Sequence, residues 1–323
     1  MKRTLLLLSL CACHGAGSFD DESDPTPMTE VFAGMDAYDA IAVRDGVVQV
    51  EISGSGVASC ATTGCTAPSI VAWTDAWASG ALGSPIVYAA QVGSLDGVSG
   101  ELHVIDGSGD RAIATGLVYP SWVATSGART FVAEDSFSYD DTPATIGCVG
   151  CTDDGKVAPW ISGLGGATYG LFADASNVYV LTDDPTLSSV ELLGCSTSHP
   201  CWAEPRVVLS DLDQTITAQQ IASDGAAVYV ARAAKADVVR VDASGAVTPI
   251  LQMTNATALA WDARANALWF GTLSGNVGRV SSDGTNRVLV GRGSGSIRAI
   301  ATGASSVYVV TGDSGEIVMK APK

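Results

Sequence analysis

The chain has little with which to do acid–base chemistry. Three histidines, His14, His103 and His199, occur in 323 residues. The repeat pattern set out below places His103 in a third strand and His199 in a hairpin, away from any central pore. That weighs against a histidine-based hydrolase or lyase. No GxSxG elbow and no Walker-type phosphate loop occurs. Basic residues are also few: 17 Lys and Arg stand against 34 Asp and Glu, for a net charge of −17. With no basic patch, neither nucleic-acid binding nor adhesion to anionic lipid is expected. Long helical patterns are missing. No run of 18 apolar residues lies outside the N-terminus, so no membrane-spanning helix is expected.

Small and aliphatic residues dominate instead, and only 16% of residues are charged, which argues against extensive disorder. Glycine is abundant, with 36 residues, as suits many tight turns between short strands.

The N-terminus MKRTLLLLSLCACHGAGS reads as an export signal. Lys2 and Arg3 form the positive region and residues 5–10 a short apolar core. Leu10-Cys11-Ala12-Cys13 resembles a bacterial lipobox, which implies cleavage after residue 12 and a lipid on Cys13. Lipid anchoring to the cell envelope and plain secretion are the two outcomes this segment allows. Residues 13–28 include GAGSFDDESDPTPM and read as a flexible tether. The folded domain is expected over 29–323, as a monomer that meets the membrane only through its lipid.

One pattern recurs: a short strand centred on Ala, a turn of Asp, Gly, Ser or Asn, then an apolar strand that usually carries an aromatic. It reads DAIAVRDGVVQVEI (39–52), AWASGALGSPIVYAAQ (76–91), WVATSGARTFVAE (122–134) and LFADASNVYVLT (171–182). It returns as QIASDGAAVYVAR (220–232), LAWDARANALWFGT (259–272) and IATGASSVYVVT (300–311). The anchor alanines Ala42, Ala78, Ala124, Ala173, Ala222, Ala260 and Ala301 recur about every 43 residues, the period of a propeller blade. Third strands such as VVRVDASG and VGRVSSDG follow, then short fourth strands such as RVVLS and RVLVG.

The pattern predicts an all-β, seven-bladed β-propeller of four-stranded antiparallel blades, with strands a to d numbered outward. The last copy stops after strand c, and a surplus strand, TEVFAG (29–34), precedes the first copy. The ring is therefore expected to close by the N-terminal strand completing the C-terminal blade, which removes an exposed sheet edge. Tyr88, Phe131, Tyr179, Tyr229, Trp269 and Tyr308 fall at equivalent b positions, as core packing requires.

Strings such as SDGAAVYV and EIVMKAPK resemble the repeats of propellers in bacterial exported lipoproteins, loosely similar to the NHL, YVTN and phosphogluconolactonase-like propellers. The resemblance implies the fold and carries over no catalytic residue. Trp261-Asp262 spells a WD dipeptide once, without recurrence, so it does not indicate WD40 repeats.

Beyond the signal stand three cysteine pairs, Cys60 and Cys65, Cys148 and Cys151, and Cys195 and Cys201, each at a c–d hairpin. Three pairs at one topological position in an exported chain read as local disulfides. Each would contribute about 2 kcal/mol and hold a hairpin end at the rim, without holding the ring together. The rival is zinc, which would need two hairpins to meet. A redox role for CVGC lacks the thioredoxin-like setting.

In a propeller the d–a and b–c loops share the end of the ring at the pore entrance. Two neighbouring b–c loops are acidic and aromatic here, EDSFSYDDTP (134–143) and TDDPT (182–186). They offer Glu134, Asp135, Tyr139, Asp140, Asp141, Asp183 and Asp184, and nearby d–a loops offer Tyr119, Trp122 and Tyr169. Carboxylate oxygens suit Ca²⁺ or Mg²⁺. Aromatics beside carboxylates suit a glycan or a basic peptide, and solvated turn tips are the plainer reading. Arg232, Arg292 and Arg298 on the same end would contact an anion or pair with loop carboxylates. GLGG (163–166) and GRGSGS (291–296) read as inter-blade turns.

Two functions fit. One is a binding module for a protein, peptide or glycan. The other is a metal-dependent propeller enzyme of lactonase or lyase type, which needs at least three oxygens converging on one point. The a strands offer mostly Ala, Val, Ile and Gly, which favours binding.

Overall fold

The computed structural model describes residues 27–33, 38–52, 55–72, 80–82, 85–92, 99–134, 143–152, 156–183, 189–202, 204–253, 255–312 and 317–323. The expected signal, Cys13 and the tether up to residue 26 lie outside the described residues, as does the anchor Ala78.

Seven four-stranded antiparallel sheets form a ring. Blade 1 is Tyr38–Arg44, Val47–Ile52, Gly56–Ala61 and Ser69–Ala72. Blade 2 is Gly80–Ala81, Ile86–Val92, Ser99–Asp106 and Gly109–Val118. Blade 3 is Pro120–Ser126, Arg129–Glu134, Ala144–Val149 and Ala158–Leu164. Blade 4 is Thr168–Ala173, Asn177–Asp183, Val190–Ser196 and Arg206–Leu212. Blade 5 is Ile221–Ser223, Ala227–Arg232, Asp237–Asp242 and Val247–Gln252. Blade 6 is Ala256–Asp262, Ala267–Thr272, Asn276–Ser281 and Val288–Arg292. Blade 7 is Ile297–Thr302, Ser306–Thr311 and Ile317–Pro322, with Thr29–Ala33 outermost.

Thr29–Ala33 runs antiparallel to Ile317–Pro322, with Thr29 opposite Lys320 and Ala33 opposite Ile317. The chain is already packed ahead of the expected domain boundary at residue 29. Met28 is buried between blades 6 and 7 and donates its backbone N–H to Arg292 O.

Each blade packs its two faces on two neighbours, so the core is divided into clusters between consecutive blades. This explains why the b strands are apolar at nearly every position and not only at alternate ones. Ala267–Thr272 is buried throughout. The outer strands carry the polar residues and tolerate Pro249, as edges do.

The b-strand aromatics meet a repeated packing need, with one exception. Phe131, Tyr179, Tyr229, Trp269 and Tyr308 each pack toward the following blade. Tyr88 packs with Ile86 and Ala90 toward blade 1 instead, the opposite face. Strand b of blade 2 is therefore out of phase, and the expected equivalence of Tyr88 fails. In blade 4 it is Phe172, not the anchor Ala173, that lies opposite the aromatic.

The a–b turns follow a chemical rule. Asp174 accepts backbone N–H groups of Ser176 and Asn177, Asp224 those of Ala226 and Ala227, and Asp262 those of Arg264 and Ala265. The second carboxylate oxygen then reaches into the core. It takes Tyr179 OH and Ser223 Oγ at Asp174, Tyr229 OH at Asp224 and Lys323 Nζ at Asp262. Much of the acidic charge is thus turn chemistry.

All three cysteine pairs are disulfides: Cys60 with Cys65, Cys148 with Cys151 and Cys195 with Cys201. In each, the first cysteine lies in strand c and the second beyond its end, before strand d. The hairpin position is the expected one. The expectation that each bridge serves only its own hairpin needs correction, because two of the closed loops also join blades. Ser162 donates its N–H to Trp202 O at 2.9 Å, and Cys201 and Trp202 donate theirs to Trp160 O, so the 195–201 loop of blade 4 extends the outer edge of blade 3. Trp160 Nε1 donates to Ser196 O and Arg129 Nη1 to Thr197 O. Likewise the loop closed by Cys60 and Cys65 offers Thr62 O to Lys320 Nζ of blade 7 at 2.8 Å, and Cys65 packs against the apolar cluster between blades 7 and 1.

Candidate functional site

At the end of the ring that carries the b–c and d–a connections, Glu134 closes strand b of blade 3. Its Oε2 accepts the backbone N–H of Val118 at 2.8 Å, across the seam to blade 2. Burial pushes its carboxyl above the ordinary glutamate range, against the opposing pull of that N–H. Asp183 closes strand b of blade 4, and its Oδ1 accepts Tyr169 OH at 2.8 Å.

Trp122 and Tyr169 lie within a strands, not in the connections where the sequence suggested them. Trp122 Nε1 donates to Thr168 O at 3.1 Å, tying the inner strands of blades 3 and 4. Tyr119 occupies the connection between blades 2 and 3 with φ of +43°, a conformation a bulky residue seldom takes. Asp135, Tyr139, Asp140, Asp141 and Asp184 lie outside the described residues. Of the predicted set, the structure joins Tyr169 to Asp183. Glu134 faces the other seam of blade 3.

Arg232 pairs with Asp237 through two hydrogen bonds, both side chains largely buried. Arg292 and Arg298 lie in strands d and a of blades 6 and 7. The two glycine-rich segments join blades as expected. Thr182 Oγ1 donates to Ala167 O beside the first, and Thr311 Oγ1 to Gly295 O in the second. His103 is held between Glu101 and Asp110, 3.0 Å from each, and stacks on Tyr88. Among the described residues, no three His, Cys, Asp or Glu side chains stand close enough together to hold a metal ion.

The opposite end carries two clefts among the described residues. The a–b turns of blades 6, 7 and 1 surround a cleft of about 500 Å³ lined by Arg44, Arg264, Trp261, Thr62, Ser305 and Tyr308, among others. A second cleft of about 320 Å³ lies between blades 1 and 2, and Arg44 and Asp45 line both. This is the seam into which Tyr88 turns. Sequence reasoning missed this end. Its signal was the arginine in two a–b turns, AVRDG and WDARA, in a chain short of cations.

No protein-family model and no curated protein matches the chain. Solved structures do resemble it. Virginiamycin B lyase from Staphylococcus aureus aligns with a TM-score of 0.60 at 12% identity, covering 91% of this chain and 97% of that one. Saccharomyces cerevisiae Sqt1 aligns at 0.56 and 11%, covering 93% and 100%. The computationally designed protein Ika8 aligns at 0.56 and 10%, covering 92% and 100%. At these identities the likeness is one of fold, a seven-bladed propeller, and function lives in sites rather than folds.

Proposed function

We infer that this chain is an exported β-propeller, displayed at the cell envelope through a lipid on Cys13 or secreted, that acts as a monomeric binding module for a protein, peptide or glycan. One observation carries the reading: three of the described charged groups at the pore-entrance end, Glu134, Asp183 and Arg232, are already used by the fold. Glu134 holds Val118, Asp183 holds Tyr169 and Arg232 holds Asp237. What this end presents to a partner is recognition surface of turns and aromatic edges. Three disulfides suit an oxidising compartment.

A second reading is a metal-dependent enzyme of lactonase or lyase type, with Glu134 as its acid–base group and Ca²⁺ or Mg²⁺ held by the other loop carboxylates, Asp135, Asp140, Asp141, Asp183 and Asp184. One feature favours it: burial raises the Glu134 carboxyl at the pore entrance, as an acid–base group requires.

Peptide and glycan arrays probed with the purified chain, alongside calorimetric titration with Ca²⁺ and Mg²⁺ after chelation, separate the two. The binding reading expects selective array signals that persist in chelator. Saturable ion binding with a raised melting temperature would move the conclusion to the enzyme, and silence in both experiments would overturn both.

A further inference from the structure

Five blades press an aromatic ring from strand b onto the following blade: Phe131, Tyr179, Tyr229, Trp269 and Tyr308. Blade 1 has Gln49 at that position, opposite Ala42. Val48 and Val50 on either side of it pack toward blade 7, so the two-residue period of a strand turns Gln49 toward blade 2. Its Oε1 is sealed from water there, with no hydrogen-bond partner among the described residues. Tyr88 enters the same seam from blade 2 and packs with Val57 of blade 1. It does not fill the seam. The cleft of about 320 Å³ stays open toward the a–b turns, walled by Gln49, Val47, Pro85, Ile86 and Ile105. The charges at its mouth are already paired: Arg44 stands against Asp45, and Asp106 takes Arg111 and Ser108.

We propose that this cleft takes the aromatic side chain of a peptide partner, one that carries its own hydrogen-bond donor, with tryptophan the best fit. The proposal rests on the binding-module reading and names the chemistry of the partner. Three features select such a ring. The wall is apolar, and it stands where the other blades seat a ring of their own. A buried acceptor without a partner costs free energy that an incoming donor recovers. The indole N–H is a donor only, with no acceptor to set against the Gln49 oxygen.

Gln49 is only partly buried, and a turn about its terminal torsion presents Oε1 to the ring. The alternatives fit less well. A sugar would set hydroxyls against four aliphatic side chains with one amide to meet them, and an aliphatic side chain would leave Oε1 unpaired. The paired charges at the mouth favour neither an acid nor a base. The volume lies at the small end of the range usual for ligand sites, which suits one side chain.

The test is calorimetric titration of the purified full chain with an uncharged Gly-Trp-Gly peptide, blocked at both ends. Two further peptides carry leucine in place of the tryptophan, or tryptophan with its indole nitrogen methylated. The tryptophan peptide is expected to saturate, with little change on added salt. Methylation should weaken binding about tenfold, as loss of one hydrogen bond to a buried acceptor implies, and leucine should weaken it further. Gln49→Leu should bind the two indole peptides alike. Gln49→Phe gives blade 1 the ring that other blades have and should abolish binding. Both variants should melt no lower than the natural chain, because each removes the buried unpaired oxygen. Absence of saturable binding by the tryptophan peptide would overturn the proposal. So would binding that fades with salt, equal binding of the methylated or leucine peptide, a gap between the indole peptides that persists in Gln49→Leu, or undiminished binding by Gln49→Phe. If these peptides fail while the arrays find another ligand, only this inference falls and the binding-module reading stands.

Discussion

Lys323 donates from Nζ to the Asp262 carboxylate, linking blade 7 to the a–b turn of blade 6, and the two side chains are only 12% and 3% exposed. Burial alone would raise the Asp262 carboxyl. The bonds from Lys323 and from the Ala265 and Arg264 N–H groups outweigh it and hold it below the ordinary aspartate range. Breaking one side of such a pair strands a buried charge. Lys323→Met is expected to cost about 3–5 kcal/mol in urea unfolding. Asp262→Asn in the Lys323→Met background should recover most of that loss, because no buried charge is left. The folded state holds the Asp262 proton less tightly than the unfolded chain. The pair's stabilisation is therefore present at neutral pH and is lost as pH falls through the folded pKa, below the usual aspartate value.

The Cys195–Cys201 disulfide is expected to matter beyond its own hairpin. Closing so short a loop contributes about 2 kcal/mol by the chain-entropy estimate. This loop also carries the backbone bonds to Trp160 and Ser162 that cover the outer edge of blade 3. Replacing both cysteines by alanine should lower stability by at least that amount. It should also speed amide hydrogen exchange at Ser162 and Trp202, while the buried b strand of blade 6 keeps its protection. Uniform loss of protection around the ring would contradict a local latch. Cys148–Cys151 offers the control, since Gly150 of its loop lies against Ala128 of the same blade.

Strand count and blade order were legible because they follow from a period and from turn chemistry that recurs in each copy. The missing fourth strand of the last copy was legible in the same way, as a gap beside TEVFAG. Phase was not. Tyr88 looks like the other b-strand aromatics, yet a one-residue shift turns it to the opposite face, as the two-residue period of a strand requires. The regular aromatic position is filled in blade 1 by Gln49, which lies opposite Ala42 and whose Oε1 is buried with no hydrogen-bond partner among the described residues. Nor could sequence show that Glu134 and Asp183 would be taken up by Val118 and Tyr169, because those partners come from another blade or another strand. The cleft end escaped notice for the same reason: Arg44 and Arg264 are 220 positions apart and meet only through closure of the ring. The bridging by the Cys60–Cys65 loop was hidden likewise, since its partner Lys320 lies at the far end of the chain.

Glu134 should make stability fall with rising pH. Burial raises its carboxyl in the folded state, so the folded chain binds this proton more tightly than the unfolded chain. The associated penalty is absent at low pH, grows as pH rises from the ordinary glutamate range through the folded pKa, and is constant above it. Glu134→Gln keeps an oxygen to accept the Val118 N–H and removes the charge. The variant should therefore gain on the natural chain across that window and match or exceed its stability at neutral pH. Urea midpoints measured from about pH 4 to neutrality check this. A variant whose midpoints run parallel to those of the natural chain would show that Glu134 titrates as an ordinary exposed carboxylate. A variant that loses stability at every pH would show that the charged form of the bond to Val118 is worth more than the desolvation it costs.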